Sequence, residues 1–186
     1  MDTLETARLL IRPFAPNDLD AVHHLLDVEI AWSGPGFTRA QRRERLAFYA
    51  ELARWEDTGR LYGYRAVTLK DVGELVGIVG FLPVPWDARR RALLSPTDGA
   101  AAGIELEVGY ALAPAHRGRG YATEALEALI AHAFGVLGVG RIVAGTGRDN
   151  APSIALLERV GMRTFPNPYG DWPQVIGVLE NPMRPP

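Results

Sequence analysis

The residues best suited to chemistry fall in one run, Ile104-Glu105-Leu106-Glu107-Val108-Gly109-Tyr110-Ala111-Leu112-Ala113-Pro114-Ala115-His116-Arg117-Gly118-Arg119-Gly120-Tyr121-Ala122-Thr123-Glu124-Ala125. A strand-like stretch ends at Pro114. A basic loop punctuated by Gly118 and Gly120 follows, and a helix pattern begins at once, with Ala122, Ala125, Leu126, Leu129 and Ile130 on its apolar side. The first N–H groups of a helix have no intrahelical partner, and the helix dipole adds positive potential there. Glycine lets backbone approach a ligand closely, and Arg117 and Arg119 add charge. Such a junction suits an anion, a pyrophosphate above all.

Two common phosphate motifs are absent. No Gly-Lys-Ser/Thr follows a glycine loop, which excludes a Walker site. The dinucleotide fingerprint lacks its third glycine, because position 123 is Thr123, and no acidic residue lies near position 140. The second glycine cluster, Gly135 to Gly140, comes after a helix and before a strand and reads as a helix terminator. Within the strand, alternation puts Glu105, Glu107 and Gly109 on one face and Leu106, Val108 and Tyr110 on the other. Two carboxylates on one face are placed to raise each other's pKa.

The elements that must position this run are mixed. Strands are expected at Arg8–Phe14, Tyr62–Lys70, Leu75–Leu82, Ile104–Leu112, Arg141–Gly145, Met162–Phe165 and Val175–Glu180. Asp71-Val72-Gly73-Glu74 turns the second strand into the third. A helix opens at Pro16-Asn17-Asp18 with Leu19, Val22, Leu25 and Leu26 as its buried stripe. Thr38 and Gln41 form a capping box for a second helix running to about Glu56. Further helices are expected over Gly120–Phe134 and Asn150–Val160, and Pro83–Gly103 reads as an irregular insertion. The result is an α/β (α+β) fold, a mixed, mostly antiparallel sheet of six or seven strands with about four helices. One domain is expected over residues 1–186, with residues 181–186, which carry three prolines, as a loose tail.

Composition removes several classes of function. The chain has 186 residues, is 47% hydrophobic and 23% charged, and carries a net charge of -2, so no global basic field points to nucleic acid or an anionic membrane. Lys70 is the sole lysine. With no cysteine, disulfides, thiol nucleophiles and zinc fingers are excluded. His23, His24, His116 and His132 do not fall at metal-ligand helix spacing, so no metal is expected. The polar, acidic start is not a signal peptide, and no run of about 18 apolar residues is present to span a bilayer; a cytoplasmic home is expected. A homodimer is the default assembly only because two-fold dimers are common.

Arg117-Gly118-Arg119-Gly120-Tyr121-Ala122 resembles the acyl-CoA signature of the GNAT (N-acetyltransferase) superfamily, Gln/Arg-x-x-Gly-x-Gly/Ala, at every specified position. The Glu-Val-Gly-Tyr strand stands before it at that family's distance. The run from Asn150 to Met162 resembles the family's Asn-x-x-Ser/Ala-x-x-Leu-x-Glu-Lys-x-Gly-Phe. The opening, Leu4 to Pro13, looks like the branch typified by ribosomal-protein N-terminal acetyltransferases. The likeness thus covers nearly the whole chain and is weakest over Pro83–Gly103.

That resemblance implies an acetyl-CoA-dependent acyltransferase acting on an amine, with a sheet splayed between the fourth and fifth strands. It places the pyrophosphate on Arg117, Gly118, Arg119, Gly120, Tyr121 and Ala122, and the pantetheine arm on the backbone of Tyr110, Ala111 and Leu112. It assigns Asn150 to a hydrogen bond with the arm, and Ser153 both to the arm and to the leaving thiolate. Glu107, ahead of Glu105, becomes the candidate base, directly or through water, and a backbone N–H near Tyr110 the oxyanion donor. The acceptor is a protein N-terminus, a polyamine, an antibiotic or another small amine; a non-catalytic acyl-CoA-binding module is the alternative. Leu157 stands where many relatives carry a tyrosine acid, and leucine donates no proton. Near the loop, His116 reads as an exposed residue and Arg89-Arg90-Arg91 as a solvated run. Trp32, Phe37, Trp55 and Trp86 are divided between core and acceptor cleft. Glu124 reads as a first-turn acid that favours the helix dipole.

Overall fold

In a computed structural model, residues 3–30, 32, 36–54, 62–94 and 103–183 are described; the side chains of 52–54 are not. The strands are β1 (Leu4–Glu5), β2 (Leu9–Arg12), β3 (Gly63–Leu69), β4 (Leu75–Trp86), β5 (Gly103–Leu112), β6 (Arg141–Thr146), β7 (Arg163–Pro166) and β8 (Val175–Glu180). The α-helices are α1 (Leu19–His23), α2 (Arg39–Arg54), α3 (Ala88–Ala92), α4 (Tyr121–Gly135) and α5 (Ala151–Arg159). Strand order is β1-β2-β3-β4-β5-β6-β8-β7. β1, β2 and β3 pair antiparallel in succession, and β8 pairs antiparallel with both β6 and β7. β5 and β6 run parallel, joined at Glu107 and Val143. A ladder reduced to that pair is the splay expected between these two strands.

The strand count exceeds the expectation because Leu4–Glu5 adds a short β1 against Ile11 and Leu10. β4 also runs on through Pro83 and Pro85 to Trp86. The two prolines lie two residues apart, so both missing N–H groups fall on the same strand edge. The insertion is not wholly irregular: Asp87 accepts from the Arg90 N–H and so caps α3. Its residues 95–102 lie outside the described residues, as do Trp55 and the expected helix end at Glu56.

The chain packs as two compact units, Met1–Gly80 with Gly109–Leu137, and Phe81–Val108 with Gly138–Pro186. In the first, the predicted stripe Leu19, Val22, Leu25 and Leu26 is buried, with Leu46, Ile78 and Ala111. The helix carrying it tightens at Pro16–Asp18 and widens to a π-turn over His24–Glu29. The Thr38–Gln41 box forms reciprocally: Thr38 N–H donates to Gln41 Oε1 at 2.9 Å and Gln41 N–H to Thr38 Oγ1 at 3.3 Å. A buried ion pair ties the helices together, with Arg42 donating to both Asp27 oxygens at 2.6 and 2.7 Å. Phe37 N–H and the His23 ring also bond to Asp27.

In the second unit, Trp86, Leu94, Val143, Ile176 and Val178 form the core, which assigns Trp86 to packing. Asn181, the first residue of the expected loose tail, is buried. Its N–H and Nδ2 donate to the Gly140 and Val139 carbonyls, each at 2.8 Å. Residues 184–186 lie outside the described residues. No helix among the described residues is long and apolar enough to cross a membrane.

Candidate active site

In the first unit, β5 delivers Tyr110, Ala111 and Leu112 to the basic loop. Gly109 precedes them because a side chain there would collide with the Tyr64 hydroxyl. Ala113 N–H continues the pairing to the Val76 carbonyl at 2.9 Å, and Pro114–His116 then makes a single 3₁₀ turn. Gly118 and Gly120 sit at φ +73° and +80°, left-handed backbone that favours glycine. Gly120 caps α4, whose ladder opens with Glu124 N–H donating to the Gly120 carbonyl at 3.1 Å. The N–H groups of Tyr121, Ala122 and Thr123 therefore precede the first intrahelical bond. Arg117 folds back, its Nε donating to the Leu112 carbonyl at 3.2 Å, while Arg119 is exposed. A Cβ at Gly118 would meet nothing within 4 Å. A small apolar recess lies beside this junction, lined by Val67, Ile78 and Val79, by Tyr110, Ala111 and Leu112, and by Ala122 and Ala125. Open glycine backbone, a helix N-terminus and two arginines fit a pyrophosphate.

His116 is not the exposed loop residue its neighbours suggest. Its side chain is 11% exposed and its Nε2 lies 3.1 Å from Glu74 Oε1. Glu124 is more than a dipole partner, since it accepts from Thr6 Oγ1 at 2.5 Å, from Arg8 N–H at 2.8 Å and from Arg8 Nε at 2.7 Å. Burial by itself raises its pKa, but these bonds and the Arg8 charge outweigh burial and hold the carboxyl below its usual range.

In the second unit the two candidate carboxylates separate. Glu105 is buried between two arginines: Arg91 Nε donates at 3.0 Å, and Arg141 donates through Nε at 3.1 Å and a terminal nitrogen at 2.9 Å. It is a structural anchor. Glu107 is half-buried and accepts no hydrogen bond among the described residues. Burial raises its pKa, and the Arg90 charge offsets part of the rise. The expected mutual repulsion of Glu105 and Glu107 is not the cause. Glu107 Oε1 lies 3.7 Å from where a Cβ on Gly145 would stand, and the Pro173 ring covers the same point at 2.7 and 2.9 Å.

The arginine run is likewise not simply solvated. Arg90 donates to Asp171 Oδ2 at 2.8 Å and to the Trp172 carbonyl at 2.7 Å, and Arg89 pairs with Asp87 and covers the Tyr169 ring at 4.9 Å. Both tie α3 to the loop before β8, and Asn167 Nδ2 closes that loop on Asp171 and Pro173. Asn150 caps α5 through Oδ1, which accepts from Ser153 N–H at 3.3 Å; its amide Nδ2 makes no bond among the described residues. Ser153 is half-buried on the first turn. Leu157 is 1% exposed against Gly177, so it is core. Trp32 packs edge-on against Tyr64 at 6.0 Å, and Phe37 lies under Arg42 and Arg45. The tethers on Glu105, Glu124 and Arg90 join residues 14 to 118 positions apart, and no local pattern announces them.

A strand leading through left-handed glycines into a helix N-terminus makes an anion-binding junction. Residues 8–163 match the family model described as the Acetyltransferase (GNAT) domain, and the chain belongs to that family. An uncharacterized N-acetyltransferase, p20 of Bacillus licheniformis, is 27% identical over 173 residues, covering 88% of this chain and 83% of that one. Among solved structures, an acetyltransferase from Agrobacterium tumefaciens str. C58 superposes with TM-score 0.73 at 27% identity, covering 97% and 95% of the two chains. The ribosomal L7/L12 α-N-protein acetyltransferase RimL, solved with coenzyme A, shares the fold at TM-score 0.68 and 17% identity, covering 96% and 98%.

Proposed function

We propose that this protein is an acetyl-CoA-dependent N-acetyltransferase that passes the acetyl group directly to a primary amine, on a protein N-terminus, a polyamine, an antibiotic or another small molecule. The observation that carries the proposal is the junction at Gly118 and Gly120, two left-handed glycines opening a 15-residue helix. The CoA-bound state of the RimL neighbour supports the same ligand. Acetyl-CoA supplies an activated thioester carbonyl and a leaving thiolate. Arg117, Gly118, Arg119, Gly120, Tyr121 and Ala122 hold the pyrophosphate by charge and by backbone N–H groups. Tyr110, Ala111 and Leu112 run with the pantetheine arm, beside the apolar recess they help to line.

An amine of ordinary pKa, about 10, arrives as an ammonium and must lose a proton before it can attack. Glu107 is the acceptor of that proton, directly or through one water: its carboxyl is half-buried, accepts no hydrogen bond among the described residues and is raised in pKa, whereas Glu105 is occupied by Arg91 and Arg141. The resemblance of Asn150–Met162 to the family's run is what assigns Asn150 to the arm and Ser153 to the departing thiolate. A thiolate leaves readily, so the leucine at 157 is no obstacle. The test is release of free thiol from acetyl-CoA across a panel of peptides, polyamines and aminoglycoside-type amines. Turnover with one class, lost in Glu107→Gln, supports the reading. Acetyl-CoA binding without turnover on any amine would make the protein a non-catalytic module.

A further inference from the structure

Arg8 lies more than a hundred residues from the glycine loop in sequence, yet its side chain is committed to it. One terminal nitrogen donates to the Arg119 carbonyl at 2.9 Å. Its Nε donates to Glu124 Oε2 at 2.7 Å, and its backbone N–H to Glu124 Oε1 at 2.8 Å. The guanidinium carbon stands 4.6 Å from the centre of the Tyr121 ring. A Cβ built on Gly120 would meet only the other terminal nitrogen, at 3.3 Å. Thr6, two residues earlier, adds its hydroxyl to Glu124 Oε1. One arginine therefore touches residues 119, 121 and 124 together and stands beside Gly120.

From this geometry we infer that Arg8 is a positioning residue for the pyrophosphate loop, fixing the Arg119–Gly120 peptide and cancelling the charge of Glu124. The inference rests on the reading of Arg117–Ala122 as the acyl-CoA site. Two physical arguments carry it. A peptide is planar and trans, so its C=O and N–H point in opposite directions. Binding the Arg119 carbonyl to Arg8 turns the Gly120 N–H away from Arg8, and this holds Gly120 in its left-handed conformation without a ligand. Secondly, an ionised glutamate in the first turn of α4 repels the anion that the helix N-terminus attracts. The Arg8 guanidinium sets Nε and a terminal nitrogen on Glu124 Oε2, each at 2.7 Å, and neutralises the carboxylate, so the field at the loop stays positive. Arg8 does not belong to the signature run, and nothing in its sequence surroundings links it to the loop.

The test is calorimetric titration of wild type, Arg8→Ala, Arg8→Lys and Arg8→Ala/Glu124→Gln with acetyl-CoA, together with KM and kcat for any accepted amine. Arg8→Ala is expected to weaken acetyl-CoA roughly tenfold, the worth of one charge-assisted contact at a helix terminus, with kcat changed far less. Arg8→Lys keeps the charge but cannot reach Glu124 and Arg119 together, and it recovers only part of the loss. Adding Glu124→Gln to Arg8→Ala removes the repulsion and restores part of the affinity, which a purely structural role does not predict. Amide exchange at residues 118–122 reports loop order if Arg8→Ala is too unstable to titrate, and Arg8→Lys then carries the affinity comparison. Wild-type binding with equal affinity in folded Arg8→Ala overturns the inference alone. No binding by wild type overturns the acyl-CoA reading itself.

Discussion

Replacing Glu107 by glutamine separates catalysis from folding more cleanly than any other substitution on β5. The side chain keeps its volume and loses a carboxylate that accepts no hydrogen bond among the described residues. Because burial raises its pKa in the folded state, ionisation of Glu107 opposes folding. The sign follows: Glu107 favours the folded state at low pH, where it is protonated, and this contribution is lost as pH rises through its raised folded pKa. Glu107→Gln is therefore expected to be as stable as wild type at pH 8 or slightly more so. Catalysis should move the other way. Loss of a positioned base costs on the order of 10²–10⁴ in rate. In wild type, kcat/KM falls as pH drops through a pKa above that of an ordinary glutamate, and Glu107→Gln should lose that limb. Free-thiol release measured from pH 5 to 9 reads the rate, and thermal unfolding reads the stability.

Glu105→Gln supplies the contrast. It removes the charge from a carboxylate held by Arg91 and Arg141, and breaking a buried ion pair typically costs about 3 kcal/mol or more. It should lower Tm and leave the pH profile unchanged. The reasoning is refuted if Glu107→Gln keeps at least a third of the wild-type rate with the same acid limb, or if Glu105→Gln abolishes that limb while remaining folded.

Two further predictions concern packing. Burial raises the pKa of Asp27, but the bonds from Arg42, Phe37 and His23 and the Arg42 charge prevail and hold it at about 2, so it contributes stability that is full above pH 3.8 and lost as pH falls towards 2. That shift corresponds to roughly 2 kcal/mol, so Asp27→Asn should flatten an acid-unfolding curve followed by circular dichroism. Leu157→Tyr places a larger polar ring at a position 1% exposed beside Gly177, and it should cost about 1–3 kcal/mol in denaturant unfolding without raising kcat.

Local chemistry made much of this molecule legible. Periodicity gave the Leu19–Leu26 stripe, the Thr38–Gln41 box was visible as a pair, and the glycine loop with its helix stood out by residue type alone. Alternation also placed Glu105 and Glu107 on one face, but it could not tell them apart. Their difference lies in Arg91 and Arg141, which reach Glu105 from 14 positions before it and 36 after it. The same blindness to long-range contacts hid Arg8 from Glu124 and left His116 and Arg90 looking solvated. Short elements were missed for another reason: β1 and α3 have two and five residues, too few for a period to register. Within Pro83–Gly103, the prolines concealed a strand that continues because both fall on one edge.

The central claim is tested most directly by calorimetric titration of the purified protein with acetyl-CoA, beside ATP and NAD, in wild type and Gly120→Glu. Position 120 has φ +80° and caps α4, so a glutamate there strains the backbone and puts a negative charge at the helix N-terminus. The account predicts that wild type binds acetyl-CoA in preference to ATP and NAD and that folded Gly120→Glu does not. A well-folded wild type that ignores acetyl-CoA, or a folded variant that binds it undiminished, would contradict the account.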